Sequence, residues 1–252
     1  MINGSVTEKK QTERYTFNQA YGLVKEEVDN TLSTSPFLIR EYMKHLARST
    51  GKHIRAISVL TCALDEDDLI HPDAIKIAAS VELIHLATLV HDDVIDNAEL
   101  RRGELSLQKK YGKRTAVICG DYLLCVALRK VSLVEGRDEY VKRRIPDYMS
   151  KVCLGELNQH INNGNFDLSV YRYLKIIAGK TAALFEASFY GGAILSVEDE
   201  SQIRLYSKLG KYIGMIFQLT DDCMDFETTE QIAKKPVRSD YEQKVITLPL
   251  IH

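Results

Sequence analysis

The sequence of 252 residues predicts a single all-α domain of about eight to ten helices, on three observations. Residues that break secondary structure are sparse, since the whole chain contains only 14 glycines and 5 prolines. Apolar residues recur at helical spacing within the long stretches between the prolines. No segment alternates apolar and polar residues over the length of a strand. These patterns together favour packed helices over short strands linked by turns.

Several helices can be recognised in chain order. Pro72 and Asp73 open a helix that extends to about Asn97, because proline is favoured at the first helical position. Gly103 ends the polar turn after this helix, and Gly191-Gly192 marks a break or a close approach to a neighbour. Apolar faces at helical spacing include Phe17, Tyr21 and Val24 near the N-terminus, and later Leu184, Phe185, Ser188 and Phe189.

Composition excludes several classes of protein. The chain has 33 Lys and Arg against 35 Asp and Glu, so no global positive field favours nucleic acid as a partner. Its five cysteines are odd in number and form no CxxC pair, which fits reduced thiols in the cytoplasm better than disulfides or zinc. The N-terminus lacks the apolar core of a secretory signal. Residues 75–90 are apolar but contain Glu82 and His85, and they are too short for a transmembrane segment.

Two acidic clusters have matching sequences. Residues 89–96 are LVHDDVID and residues 218–225 are QLTDDCMD, so each apolar segment leads into a DDxxD motif. Residues four apart share one face of a helix, so Asp92 projects beside Asp96. The first cluster consists of Asp92, Asp93 and Asp96, and the second of Asp221, Asp222 and Asp225.

Carboxylates crowded on one face repel each other unless cations intervene, and hard oxygen ligands with open positions suit Mg²⁺ bound together with a phosphate. The alternative for a single DDxxD motif is an ordinary solvated acidic face. Two copies, each at the end of an apolar helical segment, favour the rim of a cavity.

A diphosphate site also needs positively charged side chains. Candidates are Lys52, Arg55, Arg101, Arg102 and Lys180, although each of them alone is typical of a solvated surface.

With these motifs the sequence resembles the trans-polyprenyl diphosphate synthases, from about residue 49 to residue 249. The segment HDDVIDNAELRRG at residues 91–103 is similar to the family's first Asp-rich motif with its trailing Arg-Arg-Gly. Residues 152–156 look most like the hexaprenyl and heptaprenyl synthases of Gram-positive bacteria, in their catalytic subunit. Further matches are Gly51-Lys52-x-x-Arg55, Gly120-Asp121, Gly155-Glu156-x-x-Gln159, Lys180-Thr181, Phe217-Gln218-x-x-Asp221-Asp222-x-x-Asp225, Lys235-Pro236 and Thr247-Leu248-Pro249.

The resemblance implies an isoprenoid synthase-type helical bundle around a central cavity, and a role for each matching residue. The six aspartates of the two clusters would bind Mg²⁺, about three ions per active site, directly or through water. Arg101, Lys180 and Gln218, with Thr181 beside them, would contact an allylic diphosphate such as farnesyl diphosphate. Isopentenyl diphosphate would be held by Lys52, Arg55, His85 and Arg102. His85 alone would more often be a core residue, but it lies two helical turns before Asp92 on the same face.

The implied reaction is the condensation of the two diphosphates by ionisation of the allylic substrate, attack by the isopentenyl double bond and loss of a proton. Family members that make short products commonly carry an aromatic residue four or five positions before the first cluster. Here those positions are Thr88 and Ala87, with Ile84 one turn further. We therefore expect a long product of about six or seven isoprene units, C30 to C35, because no bulky side chain closes the cavity.

The sequence departs from the family pattern at several places. His53 and Ala56 replace a basic residue and a proline of the first motif, which weakens the isopentenyl assignment without removing it. After the second cluster, Lys234, Arg238 and Lys244 stand where the family has glycines, and Val245 where it has a late lysine. The sequence is also short for the family, and we expect it to lack the family's usual C-terminal helices. We expect apolar surface to be left exposed as a result.

Two alternatives to an enzyme active by itself remain open. In the first, the chain is a non-catalytic or partner-dependent subunit of a heteromeric synthase, so that it forms a heterodimer with a small accessory subunit rather than a homodimer. The second is a different activity. A class I terpene cyclase shares the helices and one DDxxD, but the second DDxxD and the isopentenyl-site cations argue against that activity.

Overall fold

A computed structural model describes residues 13–48, 51–134, 138–227 and 244–251. This part of the chain is helical, as predicted, and contains eleven α-helices, one π-helical turn and one small hairpin. The elements are α1 (Phe17–Ser33), α2 (Arg40–Ala47), α3 (Ile54–Cys62), α4 (Pro72–Ile95), β1 (Leu100–Arg101), β2 (Glu104–Leu105), α5 (Leu107–Tyr111), α6 (Lys113–Val131), α7 (Asp138–Asn162), α8 (Val170–Ile177), the π-helical turn Ala178–Ala182, α9 (Ala183–Ser196), α10 (Glu200–Glu227) and α11 (Leu248–Ile251).

Helix α4 forms the centre of the bundle. It begins at Pro72, and the preceding His71 accepts a hydrogen bond at Nδ1 from the Asp73 amide, 3.2 Å away. Apolar residues occupy most of its circumference, and α1, α3, α6 and α9 pack around it. Length and composition alone would allow α4 to cross a membrane, but 61% of its apolar window is buried in the fold. It is therefore the core helix that the sequence predicts.

Helix α9 passes between α3 and α10. It continues through Gly191 and Gly192 without a break, so these glycines mark a close approach rather than an end. A Cβ atom at Gly192 would lie 2.2 Å from the carbonyl oxygen of Val59 in α3. Any side chain here would force α3 and α9 apart.

The hairpin is the one element in the described residues that contradicts the expected absence of strands. Its strands are two residues each, and Leu100 pairs with Leu105 and Arg101 with Glu104. The two turn residues, Arg102 and Gly103, have φ angles of 53° and 84°. Two positive φ angles define the tight turn that matches the twist of a hairpin. Strands this short leave no alternating pattern in the sequence.

Helix α10 exposes an apolar stripe along its outer face. The stripe consists of Leu205, Leu209, Tyr212, Ile213 and Ile216, and its most exposed members, Leu205 and Ile216, are 64% and 61% accessible. Residues at these spacings share one side of a helix. This face is exposed among the described residues, while its link to absent C-terminal helices stays a prediction.

The last described segment packs beneath α8 and α10. Ile246 lies in a cluster with Leu168, Ile176 and Ile177, and Lys244 accepts a hydrogen bond from the amide of Gly164 at 2.7 Å. Val245, where the family has a late lysine, is buried. The replaced glycine positions Lys234 and Arg238, and the Lys235-Pro236 match, lie outside the described residues.

Candidate active site

A single cavity of about 890 Å³ brings most of the predicted site residues together. It opens between the C-terminal end of α4, the π-helical turn and α10. Eleven of the fourteen predicted residues line it, namely Lys52, Arg55, His85, Asp92, Asp96, Arg101, Arg102, Lys180, Thr181, Gln218 and Asp221. Asp222 borders an adjoining cavity of about 100 Å³, while Asp93 and Asp225 are buried beside the two cavities without lining either.

The first acidic cluster lies where α4 ends. Asp96 is the last residue before Asn97, whose φ of 52° is left-handed, and the amide of Ala98 then bonds to the carbonyl of Asp93 at 2.9 Å. This is the usual way of terminating a helix with a left-handed residue, and asparagine tolerates that conformation. The termination leaves Asp92 and Asp96 at the cavity rim, whereas Asp93 faces the interior.

Arg101 pairs with the buried aspartate of this cluster. The hairpin turns the chain back so that Nε and a terminal nitrogen of Arg101 donate to Oδ1 of Asp93, at 2.8 and 2.5 Å. Burial raises the pKa of the Asp93 carboxyl, and the hydrogen bonds and charge of Arg101 oppose this rise. Asp93 is therefore held as a structural partner of Arg101, with Asp92 and Asp96 left open to the cavity.

A cationic wall faces this rim from α3 and the hairpin tip. The guanidinium of Arg102 packs on Gly51, where an added Cβ would lie 2.9 Å from both of its terminal nitrogens. Arg55 lies over the ring of Phe185, 4.7 Å from its centroid, and burial lowers the pKa of Arg55 to about 10. Its Nε is buried without a hydrogen-bond partner. A buried donor without a partner in a cavity wall is the arrangement expected for an anion site.

His85 lies on α4 between this wall and the first cluster. Burial lowers its pKa well below the usual value, and the positive charges of Arg55, Arg102 and Arg101 lower it further. His85 is therefore neutral at physiological pH and lines the cavity as a hydrogen-bonding group. Its position in the cavity lining is compatible with the ligand assignment, which stays a prediction.

His53, which replaces a basic residue of the family pattern, begins α3. Its φ of 50° is left-handed, and its buried Nδ1 has no hydrogen-bond partner. Nearby, Oε1 of Glu82 accepts a hydrogen bond from the amide of Ala56 at 2.9 Å. Glu82 thus satisfies one of the free amides at the start of α3, the helix that carries Arg55.

Lys180 reaches the cavity from the π-helical turn Ala178–Ala182. Gly155 of α7 and Gly179 of this turn touch backbone to backbone, because a Cβ at Gly155 would lie 2.1 Å from the amide nitrogen of Lys180. The contact brings Nζ of Lys180 to 3.0 Å from Oε2 of Glu156. π-helical turns are rare and frequently occur at functional sites.

The carboxylates around Lys180 affect one another. Burial, together with the Glu156 and Asp96 carboxylates, raises the pKa of Asp92 to about 7, against the opposing influence of Lys180 and Arg101. Burial also raises the pKa of Glu156, against the influence of Lys180. Burial alone would lower the pKa of Lys180, but Glu156 and Asp92 raise it overall. Excess negative charge therefore accumulates at this rim, where added cations would be stabilised.

The second cluster is fixed by neutral donors. The hydroxyl of Tyr173 donates to Oδ2 of Asp222 at 2.5 Å, and Nε2 of Gln218 donates to its Oδ1 at 2.7 Å. Thr181 donates in turn to Oε1 of Gln218 at 2.6 Å. Burial raises the pKa of Asp222, and the bonds from Tyr173 and Gln218 oppose that rise.

Sequence reasoning gave no role to Glu156 or Tyr173. Glu156 follows the glycine that contacts the π-helical turn, and Tyr173 precedes Lys180 by seven residues, about two helical turns. Of the residues expected to control product length, Thr88 lines the cavity, whereas Ala87 and Ile84 are fully buried in the core and do not.

Comparisons with known proteins agree with this fold. A family model described as polyprenyl synthetase matches residues 36–252. The chain is 36% identical over 249 residues to heptaprenyl diphosphate synthase component 2 of Bacillus subtilis, covering 98% of this chain and 70% of the relative. It is 31% identical to nonaprenyl diphosphate synthase of Mycobacterium tuberculosis, with 91% and 68% covered.

Solved structures give the same result. Heptaprenyl diphosphate synthase from Staphylococcus aureus superposes with a TM-score of 0.85 and 34% identity, covering 95% of this chain and 75% of that one. Polyprenyl synthase from Caulobacter crescentus, solved with calcium and isoprenyl diphosphate, superposes with a TM-score of 0.83 and 28% identity, covering 93% and 70%. The fold is that of the isoprenoid synthases, and such a fold with these relatives defines a prenyltransferase. The chain belongs to the polyprenyl synthetase family.

Proposed function

We propose that this protein condenses isopentenyl diphosphate with an allylic diphosphate, such as farnesyl diphosphate, to make a long trans-polyprenyl diphosphate. The observation that carries the proposal is one cavity lined by both acidic clusters and by a wall of cations. Acidic side chains suit metal ions, and the cations suit two diphosphates. The relatives that make heptaprenyl and nonaprenyl diphosphates support a long product.

The donor set fits Mg²⁺. The six aspartates of the two clusters would bind the metal directly or through water. Asp92, Asp96 and Asp221 line the main cavity, and Asp225 lies one turn beyond Asp221. Asp93 and Asp222 already accept hydrogen bonds from protein side chains. Among the described residues no three His, Cys, Asp or Glu side chains converge on one point. Mg²⁺ commonly takes one or two carboxylates and completes its shell with water and substrate phosphates. When bound, such ions would neutralise the departing diphosphate.

The basic and polar side chains of the cavity form two groups, one for each diphosphate substrate. Arg101, Lys180 and Gln218 would hold the allylic diphosphate and stabilise charge as its C–O bond breaks. Arg55, Lys52, Arg102 and neutral His85 would hold isopentenyl diphosphate so that its double bond attacks the allylic cation. The proton lost from the new chain passes to the departing diphosphate, which leaves a neutral alkene. Apolar residues such as Leu86 and Leu89 line the same cavity and exclude water.

We also propose that the protein acts in the cytoplasm as a dimer, either of two copies or with a small accessory subunit. The names of two relatives, component 2 of a heptaprenyl diphosphate synthase, support the partner-dependent alternative. In that case the chain alone would bind substrates but elongate them poorly.

Incubation of the purified chain with farnesyl diphosphate, labelled isopentenyl diphosphate and Mg²⁺ tests the function, with and without candidate small subunits. We expect a labelled long-chain product that disappears with EDTA and in Asp221→Asn. Asp167→Asn, at an exposed position outside the cavity, is the matched control. Absence of elongation under every condition would overturn the proposal.

A further inference from the structure

Asp222 is the middle aspartate of the second cluster, and each of its two carboxylate oxygens accepts one hydrogen bond from a neutral donor. Tyr173 reaches Oδ2 and Gln218 reaches Oδ1, at 2.5 and 2.7 Å. Asp222 and Tyr173 are only 4% and 2% exposed. Within the described residues, no Lys or Arg forms an ion pair with Asp222. A buried carboxylate needs such donors, because without them its desolvation is not compensated.

The bond from Tyr173 connects two helices. Tyr173 belongs to α8, Asp222 to α10, and α8 leads directly into the π-helical turn. Thr181 of that turn donates to Gln218, so a continuous chain of hydrogen bonds runs from Thr181 through Gln218 and Asp222 to Tyr173. This chain adds to the packing of α10 on α9 and restrains the rotation of α10 relative to the turn that carries Lys180.

The rotation of α10 determines where the rest of the cluster points. Asp221 and Asp225 are four residues apart on α10 and share a face. Asp222 lies between them on α10, so loss of its bond to Tyr173 would loosen a restraint on the segment that carries both. Gln218 anchors Asp222 from within α10 itself, so Tyr173 is the donor that ties the cluster to a neighbouring helix.

We propose that Tyr173 is a positioning residue of the second acidic cluster, and that its hydroxyl holds Asp222 so that Asp221 and Asp225 are prearranged for a divalent cation. The inference rests on the metal assignment in the proposed function. It assigns the role to the hydroxyl rather than to the ring, because the ring packs with Leu168, Ile176 and Ile177 in any case.

Metal binding tests this without turnover. Free Mn²⁺ is measured by electron paramagnetic resonance in the presence of the protein and inorganic pyrophosphate. In Tyr173→Phe the ring stays and the hydroxyl is lost, and we expect Mn²⁺ to bind about tenfold more weakly, the usual loss for one hydrogen bond to a charged group. Tyr171→Phe, on the same helix with an exposed ring, should bind Mn²⁺ as the wild type does.

A second variant separates positioning from packing. If Tyr173 acts through Asp222, then Tyr173→Phe should cause no further loss in an Asp222→Asn background. Wild-type Mn²⁺ affinity in Tyr173→Phe, or an equal loss with and without Asp222, would overturn the proposal. So would a Tyr173→Phe protein that loses folding and metal binding together, because that result assigns Tyr173 to the core.

The same measurements distinguish this proposal from the proposed function. A wild-type protein that binds Mn²⁺ and depends on Tyr173, yet makes no prenyl product, leaves the positioning role intact and contradicts only the condensation. A wild-type protein that binds no Mn²⁺ with pyrophosphate contradicts both.

Discussion

Arg101 holds Asp93 through two hydrogen bonds to a single carboxylate oxygen, at 2.8 and 2.5 Å. The side chain of Asp93 is 5% exposed and that of Arg101 is 36% exposed, so the pair spans the boundary between core and cavity. The middle aspartates of the two clusters are thus both paired, one with a cation and the other with neutral donors.

The Arg101 pair leads to a stability prediction. Arg101→Ala leaves the buried Asp93 without its cation, and we expect a loss of about 2 kcal/mol in the free energy of unfolding. Arg101→Lys should retain part of the lost stability, because lysine supplies the positive charge but cannot make both hydrogen bonds of the guanidinium. Urea denaturation measures both. Arg114→Ala, at an exposed position on α6, is the control, and equal stability of R101A and R114A would contradict the pairing.

Because α7 and the π-helical turn are in close contact at Gly155, we expect any larger residue at this position to destabilise the fold. A Cβ there meets the amide nitrogen of Lys180 at 2.1 Å, so Gly155→Ala should lower the free energy of unfolding by about 2–3 kcal/mol and displace Lys180. Gly22 on α1 has no atom within 4 Å of its would-be Cβ. Gly22→Ala should therefore stabilise the protein by about 0.5–1 kcal/mol. Thermal denaturation compares the stabilities of the two variants with that of the wild type. A Gly155→Ala variant as stable as the wild type would show that α7 and the π-helical turn can move apart.

Asp92 predicts how stability depends on pH in metal-free protein. Its pKa is raised from 3.8 to about 7 in the folded state, so between these values the folded protein holds a proton that the unfolded chain has lost. The free energy of unfolding should therefore fall as pH rises from about 4 to about 7. Urea denaturation in EDTA at several pH values measures this slope. Asp92→Asn should flatten it, and an identical slope in the variant would assign the pH dependence to other groups.

Product length is predicted to depend on the α4 residues above the first cluster. Thr88 lines the cavity, so Thr88→Phe should shorten the product. Ala87→Phe should shorten it too, but Ala87 is fully buried and the added ring must also disturb the core. Chromatography of labelled products compares the product lengths of the two variants with that of the wild type. Thermal denaturation measures how much stability each substitution loses. Unchanged product length in both would show that the growing chain takes another path.

The sequence was sufficient to predict the helical fold and most of the cavity wall. Helical periodicity identified α4, and the DDxxD spacing placed Asp92 beside Asp96. The hairpin was missed because two-residue strands carry no period, and only the left-handed pair Arg102-Gly103 signals it.

Two other features depend on contacts that sequence spacing does not encode. A buried tyrosine looks like any core residue until its hydroxyl is found beside Asp222. The proximity of Glu156 to Lys180 requires the packing of Gly155 against Gly179, which are far apart in the chain. Local patterns therefore predicted most of the residues that line the cavity, and the three-dimensional packing determined which aspartates are paired.

The π-helical turn Ala178–Ala182 changes the phase of the helix that contains it. Such a turn inserts one extra residue, so everything after it is rotated by about 100° relative to an uninterrupted α-helix. Helix α8 can therefore face Asp222 with Tyr173, while α9 faces α3 and α10, although the three segments form one continuous rod. Deleting Ala178 would restore an ordinary helix and send either Tyr173 or the whole of α9 to the wrong side. A single residue of chain length thus sets the angular offset between the half of this rod that contacts Asp222 and the half that packs against α3 and α10.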